Sequence, residues 1–197
     1  IPAEGEQESA RAREQLFANV RFASGEHRSI CVLAIDDEGL SAQACTELAE
    51  AAQQAERTVL VVDADMHGTS QLAEQLGQSD GPGLAGVLAG TAALADAART
   101  AQGFTYVPAG YGEASSASLL DTEKLTRVLE EAALAYDLVL VNVAPAADHA
   151  DFSYVAHAAG STVLCVQEFA TKRAALEAAA AQLSIAKADV IGFIAAS

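Results

Sequence analysis

The sequence predicts an α/β fold, a doubly wound and mostly parallel sheet flanked by helices. Three observations carry this. Apolar runs recur at ICVLAI (30–35), TVLVVDA (58–64), GFTYVPA (103–109), DLVLVNV (137–143), TVLCV (162–166) and VIGFIA (190–195). Most are too continuous for a sheet with one solvated face, so helices should cover both sides. Alanine-rich segments of strong helical propensity lie between them, at 41–55, 122–135 and 171–183. Strand, helix, strand over most of a 197-residue chain gives a parallel sheet within one domain.

The elements follow in order. Residues 1–25 form a helical segment: SARAREQLFANVRFA (9–23) is amphipathic, with Leu16, Phe17, Val20 and Phe22 turned inward. Residues 26–197 form the α/β domain. The start, IPAEGEQE, has neither an initiator Met nor a signal-peptide pattern, so the chain reads as part of something longer. After the second strand, DGPGLAGVLAGTAAL (80–94) combines turn residues with a short helix ended by Gly90. PAGYGEASSAS (108–118) has the composition of a flexible loop. Ligands of such sheets bind beyond the carboxyl ends of the strands. That places 36–41, 63–70, 108–118 and 142–151 on one rim.

Charge excludes several functions. Eleven Lys and Arg against 27 Asp and Glu give a net charge of -16, which repels nucleic acid and anionic lipid. No apolar stretch approaches the ~20 residues of a membrane span. Cys31, Cys45 and Cys165 are odd in number and set in apolar runs, which suits reduced thiols packed in a core.

The first strand, its turn and the helix after it have the arrangement that cradles phosphates. The turn, however, carries Asp36, Asp37 and Glu38 and one glycine, Gly39, followed by Leu40 and Ser41. Two like charges ~4 Å apart at an effective dielectric near 20 repel by up to ~4 kcal/mol, which opposes a bound triphosphate.

In its order of motifs the chain resembles the bacterial tyrosine kinases. These are P-loop proteins related to the MinD-type ATPases, and they work with membrane adaptors in capsular and exopolysaccharide assembly. VLVVDADMHGTSQL is similar to the family's Walker A-prime strand, GPGLAGVLAGTAALADA to its Gly-Leu-x-x-Val-Leu-x-Gly segment, VPAG to its Leu-Pro-x-Gly turn, and YDLVLVNVAPAADHAD to its Walker B stretch. The resemblance implies a P-loop NTPase-like, three-layer α/β/α domain.

Departures from the family pattern cluster at the site. A working P-loop needs glycines whose amides surround the phosphates, a Lys on the β and γ groups, and a Ser or Thr on Mg²⁺. No lysine occurs before Lys124, so either register of GLSA (39–42) lacks it. Asn142 stands at the Walker B aspartate, and Pro145 survives from a proline pair whose first member is Ala144. Ala196 stands where an asparagine reads adenine. Asp63 and Asp65 match the Walker A-prime aspartates and Asp151 a later acidic position. They read either as strand-end caps and turn acceptors or, for Asp63 and Asp65 with Asp36 or Asp37, as hard-oxygen ligands for Mg²⁺ or Ca²⁺. ATP is not expected as a cofactor.

His67 reads as an exposed loop residue, and His27, His149 and His157 show no ligand spacing. The family's C-terminal tyrosine cluster has no counterpart; Tyr111 is the one tyrosine suited to modification. The family's Glu-x-x-Arg-x-x-Arg ring motif is replaced by Arg11, Glu14 and Phe17, or in a shifted register by Glu8, Arg11 and Glu14, so a self-assembled ring is not expected.

Three functions stay open. The first is a non-catalytic pseudokinase or pseudo-ATPase, a cytoplasmic interaction domain held at the inner face of the membrane by a fused or separate adaptor of the polysaccharide co-polymerase type, or by a kinase paralogue. The second is a residual ATP-binding kinase or ATPase completed by a partner subunit. The third is a receiver-like phosphoacceptor, since AIDDEG and VVDAD mimic an acidic phosphorylation pocket.

Overall fold

The computed structural model describes residues 4–67, 70–77, 81–110 and 119–196. Most of the loop expected at 108–118, Tyr111 included, lies outside them. The chain runs α1 (Glu4–Ser24), β1 (Ser29–Ala34), α2 (Glu38–Gln54), β2 (Val59–Asp63), α3 (Gln71–Leu76), α4 (Gly83–Leu88), α5 (Leu94–Ala97), β3 (Arg99–Ala101) and β4 (Phe104–Val107). It continues through α6 (Thr122–Ala135), β5 (Leu138–Val143), α7 (Phe152–Ala159), β6 (Ser161–Gln167), α8 (Arg173–Ile185) and β7 (Asp189–Ala196).

The strands form one seven-stranded sheet in the order β3-β4-β2-β5-β1-β6-β7. Every neighbouring pair is parallel except β3 with β4. The doubly wound, mostly parallel sheet expected from the sequence is therefore present. The receiver-like reading is set aside by this order: receivers run 2-1-3-4-5, with β1 beside β2, whereas here β5 separates them.

Alternation along the strands builds a core on each face. Ile30, Val32, Ala34, Val61 and Leu140 pack toward α2 against Leu48 and Ala49. Cys31, Leu33, Val62, Val139 and Val141 face the other way, against Leu125 and Leu129 of α6, Phe152 of α7 and Leu183 of α8. Fully burying one such leucine stabilises the fold by about 1.5–3 kcal/mol. All three cysteines are free and buried in these cores. Burial pushes the Cys165 thiol up to about 12 and raises those of Cys31 and Cys45, which makes them poor nucleophiles.

Helix α1 lies on the α2 face through Val20, with Leu16 and Phe17 beside it. An Arg13–Glu50 ion pair ties it to α2. Phe22 corrects the sequence reading: it is 90% exposed, because two residues beyond Val20 is about 200° round a helix of 3.6 residues per turn. The sequence reading also missed β3. That strand pairs with β4 through a turn at Gln102 and Gly103, both at positive φ (49° and 90°), a two-residue hairpin of the primed type.

The segment around α4 docks on the end of β4. The Leu84 amide donates to the Pro108 carbonyl (2.8 Å) and the Ala85 amide to that of Ala109 (2.9 Å). Two motifs that are separate in sequence thereby form one interlocked corner at the carboxyl rim of the sheet.

Candidate functional site

The turn after β1 is short. The Ile35 amide donates to the Cys165 carbonyl, and the Ile35 carbonyl accepts from the Ala147 amide, so the strand's hydrogen bonding extends one residue past Ala34. Only Asp36 and Asp37 then remain before α2. Asp37 is the N-cap, extended at φ -135° and ψ 111°, and its Oδ1 accepts the Gly39 amide at 2.9 Å. A Cβ on Gly39 would lie 3.1 Å from that oxygen. Helix N-termini attract anions through their unpaired amides; here a carboxylate of the chain itself takes one of those amides. Leu40 packs against the α2-side core, and Ser41 is fully buried. Asp36 is tied across the rim, accepting at Oδ1 from the Thr171 hydroxyl (2.9 Å), which itself accepts the Gln167 amide (2.9 Å). Replacing Asp37 by Ala is expected to cost about 1 kcal/mol through loss of the cap, read as a lower midpoint in urea denaturation.

Asp63 ends β2 facing α2 and sits in register with Asn142 of β5. It is 0% exposed. Its Oδ1 accepts from the Asn142 amide group (3.1 Å) and the Asp65 backbone amide (3.2 Å). Its Oδ2 accepts from the Ser70 hydroxyl at short range and from the Tyr106 hydroxyl at 3.4 Å. Every one of these donors is neutral. Burial pushes the Asp63 carboxyl up to about 6, against the lowering effect of the Ser70, Asn142 and Asp65 hydrogen bonds. Ser70 also caps α3 by accepting the Ala73 amide (3.0 Å), which fixes its hydroxyl beside Asp63. Asn142 Oδ1 is buried without a partner among the described residues.

Asp65 is buried, and its Oδ1 accepts the His67 backbone amide at 3.1 Å, a local turn that reverses the chain. The turn sends the His67 side chain toward the loop after β5, where Nε2 lies 2.6 Å from Asp151 Oδ2. The His67 ring also stacks on His149, with centroids 3.5 Å apart and planes within 3°. His67 is an exposed loop residue, as expected, and the fold brings it together with His149, a pairing that the spacing of the histidines does not show. The Pro145 carbonyl accepts the Asp148 and His149 amides (3.1 and 3.2 Å), a turn that brings His149 back over the rim. Adjacency of β2 and β5 supplies the rest, and residue spacing in the sequence carries no sign of it.

The described parts of the expected rim are together: Asp36 and Asp37, Asp63 to His67, Asn142 to Asp151, and Pro108 to Gly110. Ala196 is at the same end of the sheet on β7, its carbonyl accepting the Glu168 amide at 2.8 Å. His157 lies elsewhere, with Nδ1 2.5 Å from the Ala186 carbonyl.

The sheet order and the helices on both faces define a three-layer α/β/α domain with a P-loop NTPase-like fold. Several solved structures share this fold. The tyrosine kinase domain of BceF superposes with a TM-score of 0.82 at 24% identity, over 94% of this chain and 76% of that one. The kinase domain of the Escherichia coli tyrosine kinase ETK gives 0.84 at 24% identity, over 94% and 74%. The septum site-determining protein MinD of Pyrococcus horikoshii, solved with Mg-ADP, gives 0.68 at 24% identity, over 85% and 69%. The chain thus has the fold of bacterial tyrosine-kinase domains and of the MinD-type ATPases. Its sequence matches no protein-family model and no curated protein.

Proposed function

We propose that this domain is a non-catalytic relative of the bacterial tyrosine kinases, a pseudo-ATPase whose fold serves protein contacts. One observation carries the reading: the β1–α2 turn has two residues beyond the extended strand, and the first turn of α2 is capped by Asp37. Three features support it. No lysine precedes Lys124, an apolar Leu40 packs beside the turn, and the Asp63 carboxylate is engaged by four neutral donors. A nucleotide triphosphate would have to displace Asp37 and then sit beside Asp36 with no lysine to offset either charge.

The family resemblance supplies the setting: capsular or exopolysaccharide assembly, at the inner face of the membrane through an adaptor or a kinase paralogue. No described helix is long and apolar enough to cross a membrane, so attachment of this segment would go through such a partner. Isothermal titration with MgATP and MgADP is expected to give no heat up to millimolar ligand. Micromolar binding would overturn the proposal.

The competing reading is a nucleotide site completed by an arginine from another subunit. Asp63, Asp65 and Asp151 persist on the rim, and Asn142 Oδ1 offers a buried acceptor there. That reading requires an ATP-dependent rise in melting temperature that is lost when Asp63 is changed.

A further inference from the structure

We infer that His67, His149 and Asp151 form a binding site for a divalent transition metal of the Zn²⁺ class on the carboxyl rim of the sheet. The three side chains each present one ligand atom, and these atoms lie within 4.8 Å of one another. Around a tetrahedral Zn²⁺ with bonds of about 2.0 Å, neighbouring ligand atoms stand about 3.3 Å apart. The His67 Nε2 and Asp151 Oδ2 pair, at 2.6 Å, opens slightly to admit the ion. Rotation of the half-buried His149 about its side-chain bonds brings the second imidazole nitrogen inward.

The protein builds this cluster from two loops. The Asp65 carboxylate fixes the His67 backbone, and the Pro145 turn fixes that of His149. Asp151 precedes α7 and is buried to 9% exposure. Two aromatic nitrogens and one carboxylate favour Zn²⁺, Co²⁺ or Ni²⁺ over Mg²⁺ and Ca²⁺, which take oxygen ligands. Three protein ligands leave a fourth position for water or a partner's side chain. The chain's charge of -16 draws cations to its surface. The three cysteines, the other soft donors, are enclosed in the cores and do not compete in the folded protein. The site uses none of Asp36 to Ser41, the residues of the phosphate turn, although it shares Asp151 with the rim.

Equilibrium dialysis of the untagged protein against Zn²⁺ tests it, with His149→Ala and Asp151→Asn as variants. The expected result is one tightly held Zn²⁺ per chain, weakened about ten-fold or more in each variant, since even second-shell changes cost that much at metal sites. Zn²⁺ should raise the melting temperature of the parent and leave that of His149→Ala unmoved. His149 is partly exposed, so this variant keeps its fold, which the metal-free melting curve verifies. Co²⁺ loading should give tetrahedral d–d bands without thiolate charge transfer. No uptake at sub-millimolar Zn²⁺, uptake unchanged in both variants, thiolate bands with Co²⁺, or equal displacement by Mg²⁺ would each overturn the inference.

Discussion

Gly83→Ala is expected to destabilise the domain by about 2–5 kcal/mol. Gly83 opens α4 at φ +52°, and a Cβ there would lie 2.4 Å from the Gly110 nitrogen, 2.5 Å from its Cα and 2.5 Å from the Pro108 carbonyl oxygen. All three are backbone atoms, so no side chain can swing aside. The left-handed conformation costs a non-glycine residue about 1–2 kcal/mol, and forcing extra volume into packed surroundings costs about 1–3 kcal/mol more. Gly110 is the reciprocal half of the contact: at φ +84° its Cβ would meet the Pro82 carbonyl oxygen at 2.2 Å. Gly90→Ala separates the two terms, because Gly90 also has positive φ (+75°) but nothing within 4 Å of a Cβ. It should lose only the conformational part. Urea denaturation of the three proteins checks this; equal losses for Gly83→Ala and Gly90→Ala would show that the close approach contributes nothing. The two sequence motifs at this corner therefore have a structural reason to occur together that is independent of any ligand.

Legibility of the fold in the sequence followed from burial. Strands covered on both faces show as unbroken apolar runs, which is why β1, β2, β4, β5 and β6 are readable; β7 is readable from its apolar residue types although it is an exposed edge strand, and α6 matches its expected span of 122–135. The strand β3 is three residues long, and Arg99 and Thr100 are exposed, so it has no apolar signature. Its one signal was the Gln102-Gly103 turn. Phe22 was misplaced because an apolar residue near a helix end was read by type rather than by angle. At the rim, residue identities were readable and their partners were not. Asp37 as a helix cap depends on where α2 begins, which shifts from the expected residue 41 to Glu38. The His67–Asp151 contact spans 84 positions and exists because β5 lies beside β2. Nothing in the spacing of the histidines encodes that strand order.

Asp63 is expected to give this domain an inverted pH dependence over the mildly acidic range. Its carboxyl is raised from 3.8 to about 6, so the folded state holds the proton more tightly than the unfolded state does. The stabilising contribution is then complete below about pH 4 and is lost as the pH rises through 6. That rise in pKa corresponds to about 3 kcal/mol. Asp63→Asn should remove the slope, since the amide carries no charge to bury. Its oxygen still accepts from Asn142 and the Asp65 amide, while its nitrogen faces Ser70 and Tyr106, whose hydroxyls turn to accept. Relative to the parent, the variant should gain about 3 kcal/mol between pH 4 and pH 7, measured by urea denaturation across that range; a difference between the two proteins that does not change with pH would refute it. Asp63→Ala provides the contrast, because it strands Ser70 and the Asn142 amide group in the core and should lose stability at every pH. Added Mg²⁺ extends the test to function. An ion held by an ionised Asp63 would lower its pKa and abolish the slope. With both carboxylate oxygens already accepting from neutral donors, the slope is expected to persist in millimolar Mg²⁺, and its loss would favour the reading of Asp63 as a cation ligand.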